Sequence, residues 1–151
     1  MMALETDLLA ELVRGKLDCL GRLRDMGTKQ LELVRADRIA ELLDLLAAKH
    51  RVLVELQKIE KGLAPFRGQA PERRTWRTPE ARRECARHLD ACEAVLGEIV
   101  AQEKQSELEL TRRRDRLSAQ LQGVHLASQA RGAYTAQSPR GVTSVDLISE
   151  S

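Results

Sequence analysis

Cys85, His88 and Cys92 stand at i, i+3 and i+7, a spacing that places two thiols and an imidazole along one face of a helix. Thiolate and imidazole are the ligands that tetrahedral zinc takes, and His50 would supply a fourth if the chain folded back on itself. Paired CxxC spacing is absent, however. Cys85 and Cys92 also fall where a small apolar side chain packs a helix seam. The expectation is a buried seam and no metal.

The densest charge is the run Arg112-Arg113-Arg114-Asp115-Arg116, followed by Arg73, Arg74 and Arg77 around Trp76. A single-strand nucleic-acid site would set basic residues on one face with aromatics for stacking. Consecutive helical residues point around the helix instead, and Glu103, Glu107 and Glu109 offset the arginines. A solvated face is expected, and no nucleic-acid partner. The sequence shows no glycine-rich phosphate loop, HExxH or GxSxG motif, and its three histidines are scattered. The expectation is a protein without catalytic residues or cofactor.

The elements that carry these residues are two long stretches with helical apolar spacing, about 4–63 and 79–130. Between them, residues 64–78 hold Pro65, Pro71, Gly68 and four arginines. The aromatics are only Phe66, Trp76 and Tyr134, so the core must be aliphatic. The fold expected is all-α: a long, coiled-coil-like antiparallel helical hairpin, about 75 to 90 Å long at roughly 1.5 Å per residue. Such a rod offers surface but little enclosed volume, which favours a protein that binds another protein.

The second stretch opens on Thr78 as cap, Pro79 in the first turn and Glu80 at the positive helix end. Its seam runs Cys85, Leu89, Cys92, Leu96, Ile99, passes polar Glu103 and Ser106, and resumes at Leu110, Leu117, Leu121 and Val124. In the first stretch Leu9, Val13, Leu17, Leu20, Leu31 and Val34 precede a wider apolar band from Leu42 to Leu56. One partner helix cannot cover that band, so a third segment or a second copy of the chain is called for. Gly15, Gly21 and Gly27 predict a looser N-terminal half. Folding about residue 71 or 72 sets Asp37 and Arg38 beside Ser106, and Gly27 beside Arg116.

Charged residues are 32% of the chain, with both signs interspersed. No run of 18 apolar residues suggests a membrane span, and the first residues lack the basic and apolar regions of a signal peptide. Three cysteines make no even disulfide set. A cytoplasmic location, with no membrane insertion, is the expectation. Residues 131–151 have the composition of a flexible tail ending in the apolar run Val142–Ile148.

The run Leu33-Val34-Arg35-Ala36-Asp37-Arg38-Ile39-Ala40-Glu41-Leu42-Leu43-Asp44-Leu45-Leu46-Ala47-Ala48-Lys49, followed by Val52-Leu53-Val54-Glu55-Leu56, resembles the FlgN-type flagellar export chaperones. Residues 79–130 match the family's second long helix in position. Ala133-Tyr134-Thr135-Ala136 stands where its members carry a Tyr-Gly-type segment, with Thr135 in place of glycine. The resemblance implies a cytosolic chaperone that binds the C-terminal helices of flagellar hook-associated proteins and then docks at the export gate. On that reading Leu117, Leu121, Val124, Leu126 and Tyr134 form the client contact; otherwise the first three are seam residues. A structural coiled-coil stalk or regulator of a secretion ATPase is the alternative. That alternative calls for a cleaner seam and no binding tail.

Overall fold

A computed structural model describes residues 4–68 and 74–136. Its described residues are helical throughout, apart from turns, and hold no strand. The helices are α1 (Glu5–Arg35), α2 (Ile39–Leu63) and α3 (Pro79–Ala136), with a short 3-10 turn at Ala64–Phe66. The all-α fold of long antiparallel helices is therefore what the apolar periodicity predicts. The chain divides into two units, residues 1–108 and 109–151.

The helix expected over 4–63 is two helices, and the reason lies in three residues. Asp37 takes the left-handed conformation at φ 57°. The Arg38 N–H donates to the Leu33 carbonyl at 3.0 Å and the Asp37 N–H to the Val34 carbonyl at 3.2 Å. This is a Schellman cap, which satisfies the last carbonyls of α1 and reverses the chain. Aspartate tolerates the left-handed region better than most residues, so the turn forms without glycine or proline.

That turn changes the register. Within the first unit α2 runs antiparallel to α1: Arg22 pairs with Glu55 at 2.8 Å and Lys16 with Glu60 at 2.8 Å. The start of α3 runs parallel to α1, since Thr6 Oγ1 donates to the Thr75 carbonyl at 2.8 Å and Gln30 Nε2 to Ser106 Oγ at 3.0 Å. Gly27 consequently lies against Gln102 rather than Arg116, and Ser106 against Gln30 rather than Asp37. The glycine serves that approach: a Cβ built there would fall 2.3 Å from Gln102 Oε1. Through it Gln102 Nε2 reaches the Arg24 carbonyl at 3.1 Å and Thr28 Oγ1 at 3.0 Å.

Three apolar layers stack along the first unit. Leu9, Val13, Leu63 and Cys85 form one, with Phe66 and Trp76 packed against it. Cys19, Leu20, Leu23, Val52, Cys92 and Val95 form the middle one, and Leu33, Val34 and Leu42 close the end beside the Asp37 turn. Each side chain in such a layer removes apolar surface from water at roughly 25 cal/mol per Å². The entry to α3 is fixed as the sequence predicts: Thr78 Oγ1 accepts from the Ala81 N–H at 3.0 Å. A bidentate pair of Arg77 with Asp7 ties the break to α1, and Arg77 holds the Asp7 carboxyl below its ordinary range.

In the second unit α3 continues through residues 131–136, where a flexible tail was expected. Only Gly132 opposes helix there, and Ala130, Ala133 and Ala136 favour it. The rest of the expected tail, 137–151, lies outside the described residues.

Candidate functional site

The cysteine and histidine constellation resolves into core. Cys85 and Cys92 are buried at 3% exposure each, in adjacent layers, and Cys19 is wholly buried beside Cys92 in the middle one. Burial pushes all three thiols up from their ordinary pKa. His88 pairs with Glu84 at 4.0 Å, one turn before it on α3. His50 is exposed on α2 and belongs to neither of the layers that hold the cysteines. No cluster of three metal-binding side chains occurs among the described residues.

Buried, protonated thiols react slowly, because the thiolate is the nucleophile. In the native protein the three cysteines are expected to label with a thiol-reactive dye only as fast as the bundle opens, and to label at once in urea. Fast labelling of one thiol in native buffer would place that cysteine outside the core.

Near the break, Thr6, Asp7, Ala10, Arg14, Trp76, Arg77, Glu84 and His88 line a cavity of about 160 Å³. Its side chains bond within the lining: Arg77 pairs with Asp7, His88 lies against Glu84, and Arg14 Nε donates to the Ala10 carbonyl at 3.4 Å. The lining is thus part of the clamp that joins α1 to α3.

In the arginine run Arg112, Arg114 and Arg116 are exposed and Arg113 is half-buried. Arg112 lies 3.9 Å from Glu109 and Arg114 lies 3.5 Å from Asp115. Neighbouring arginines face different sides of the helix, so the run builds no continuous basic face.

Exposed apolar side chains are the feature that remains. Between residues 109 and 134, Leu110, Leu117, Leu121, Val124, Leu126 and Tyr134 are all exposed, from 42% at Leu110 to 78% at Tyr134. Leu110, Leu117, Leu121 and Val124 fall at 7-4-3 spacing and share one stripe of α3. Leu126 sits roughly 180° around the helix from Leu117, and Tyr134 roughly 100° from it. The five residues singled out from the sequence therefore divide: three form a row, while Leu126 and Tyr134 stand off it.

A second exposed set lies in the first unit and was only half legible. The wide band of α2 divides into a buried side, with Leu42 and Val52, and an exposed side, with Ile39, Leu43, Leu46, Leu53 and Val54. On α3 Leu89, Leu96 and Val100 are exposed as well. Leu89 and Leu96 look like seam residues in sequence, because Cys85, Cys92 and Ile99 lie close in phase. The three-helix register turns the seam toward Val95 and Gln102 and leaves them at its edge.

Among the described residues no helix is long and apolar enough to cross a membrane. Comparison with protein-family models, curated proteins and solved structures finds no match for this chain.

Proposed function

We propose that this protein is a cytosolic export chaperone of the FlgN type. Its client is the C-terminal helical segment of a flagellar hook-associated protein, which it carries to the export gate. The observation that carries the reading is the row Leu110, Leu117, Leu121 and Val124, exposed on α3. Solvent-exposed leucines at helical spacing suit an amphipathic client helix, which would lay its own apolar stripe against them. The resemblance over residues 33–56 supplies the identity of that client class. In the fold this segment spans the α1–α2 turn and α2 as far as Leu56.

The contact commits to Leu117, Leu121 and Val124 as its centre. Burying a leucine contributes roughly 1.5 to 3 kcal/mol, and about 1.4 kcal/mol is tenfold in affinity. Titration calorimetry with C-terminal fragments of hook-associated proteins should show one-to-one, sub-micromolar binding. The double variant Leu117→Glu, Leu121→Glu should weaken it about a hundredfold while the circular dichroism of the bundle is retained. Binding indifferent to the double variant would move the site off this row. No heat at several temperatures, with the protein folded, would overturn the chaperone reading in favour of a structural stalk or an ATPase regulator.

A further inference from the structure

Leu110, Arg114, Leu117, Leu121 and Val124 follow one another along α3 at 4-3-4-3 spacing, and the same rhythm carries on through Ser128 to Arg131. This is the a/d rhythm by which one helix seats along another. The apolar centre of the stripe, Leu117 to Val124, is therefore bracketed on its own line by two arginines. They stand seventeen residues apart, about 25 Å along the helix. Both are exposed, Arg114 at 76%. Arg114 Nη2 lies 3.5 Å from the carboxylate of neighbouring Asp115, and Arg131 Nε donates to the Ala127 carbonyl at 3.5 Å. The line itself holds no acidic residue. From Arg116 to Ala136 the helix carries none, and Glu109 and Asp115 stand roughly 80° and 160° around it from Leu117.

We propose that the occupant of this stripe is an acidic amphipathic helix, with an apolar centre framed by one carboxylate at each end, spaced to meet Arg114 and Arg131. The inference rests on the reading of Leu117, Leu121 and Val124 as the client contact, and it adds the chemistry of the client. A wholly apolar helix laid along the stripe would take two guanidinium groups out of water with no carboxylate to answer them, an uncompensated cost. A basic helix would add repulsion to that cost. Carboxylates in the partner's own seam turn both ends into charge-assisted hydrogen bonds. Their spacing also fixes the axial register of leucines that would otherwise accept several.

The same placement decides against other occupants. A second copy of the chain brings two more arginines and no carboxylate to the stripe, whichever direction it runs. An anionic membrane surface takes a helix whose basic residues flank a wide apolar face and reach outward to the headgroups. Here the arginines sit on the apolar line, and Leu117, Leu121 and Val124 alone make its centre. A single-stranded nucleic acid calls for aromatic side chains on which bases stack. Tyr134, the one aromatic residue of this part of α3, lies roughly 100° off the row.

The test titrates the full chain with fluorescently labelled synthetic helices of about 28 residues. Each has a leucine centre in 4-3 rhythm and two end positions, spaced as Arg114 and Arg131 are, set to Glu, Gln or Lys. The Glu helix should bind one-to-one, and the Gln helix about a hundredfold more weakly, about tenfold for each pair lost. The variant Arg114→Glu, Arg131→Glu changes two exposed positions. It should keep its circular dichroism and reverse the order, taking the Lys helix in preference. Leu117→Glu, Leu121→Glu should abolish binding of the Glu helix.

Equal binding of the Glu and Gln helices, no gain for the Lys helix in the arginine variant, or a Glu helix indifferent to the leucine variant would each overturn the proposal. So would a failure of every helix to bind. Arginine-dependent binding of phosphatidylserine vesicles or of a uridine oligonucleotide, with no order among the helices, would overturn it in favour of a membrane or RNA. Fragments of hook-associated proteins separate this proposal from the identity of the client. If the Glu helix binds in the stated order and the fragments do not bind, the acidic partner stands and the flagellar client falls. If the fragments bind through Leu117 and Leu121 but ignore the arginine variant, the client stands and the acidic partner falls.

Discussion

Replacing Leu20 by alanine is expected to lower the unfolding free energy by about 3 kcal/mol, within the range for buried leucines cut to alanine. Leu20 is 2% exposed and sits in the middle layer with Cys19, Leu23, Val52, Cys92 and Val95, contributed by all three helices. Truncation removes apolar burial and leaves a void that the antiparallel α2 and the parallel α3 cannot both move to fill. The loss is a large share of the roughly 5–15 kcal/mol by which a domain is stable. Urea unfolding should show it as a lower midpoint with an unchanged slope. Leu121→Ala, at a position 62% exposed, should change the unfolding free energy by no more than about 0.5 kcal/mol. A Leu20→Ala cost below about 1 kcal/mol would mean that the middle layer is loosely packed and that the helices are held by something other than this core.

How much of this fold is legible in the sequence follows from where its signals lie. The all-helical class is plain in the periodicity, and the start of α3 is plain in Thr78, Pro79 and Glu80, because capping and proline geometry act locally. The division of the first half at Asp37 is not plain. A Schellman turn closed by aspartate has no glycine or proline to mark it, and apolar spacing continues on both sides. Missing that turn exchanges a parallel neighbour for an antiparallel one and shifts every partner of α1. The width of the apolar band at Leu42–Leu56 was the available sign, since a stripe wider than one helix can cover requires more than one neighbour. Of the candidate binding residues, the row Leu117, Leu121 and Val124 follows from spacing. Leu126 and Tyr134 enter through the resemblance and share only that end of the sequence, and the 100° step per residue carries them to other faces.

Between the middle layer and the Asp37 end, the first unit carries a polar layer, and its disruption is the other large effect expected. Gln30 and Ser106 are buried at 5% and 2% exposure. Gln30 Nε2 donates to Ser106 Oγ at 3.0 Å, and Lys49 Nζ donates to Gln30 Oε1 at 2.9 Å and to the Glu103 carboxylate. One residue from each helix, and a second from α3, thus close a single network. Gln30→Leu would strip an acceptor from a mostly buried ammonium and a donor from a buried hydroxyl, at a cost of about 2 kcal/mol. The triple variant Gln30→Leu, Lys49→Met, Ser106→Ala removes every buried polar group of the layer except the half-exposed Glu103, which water can serve. It should stand within about 1 kcal/mol of the wild type, since apolar groups can replace a buried polar network with little loss. Its three substitutions should therefore be strongly non-additive in a mutant cycle, as expected for side chains sharing one network. If instead the triple variant falls by the sum of its single costs, the layer stabilises the bundle outright. If it holds its stability but loses protection of α2 amides against hydrogen exchange, the layer fixes alignment: leucines at helical spacing accept several axial registers, and the Gln30–Ser106–Lys49–Glu103 match accepts one.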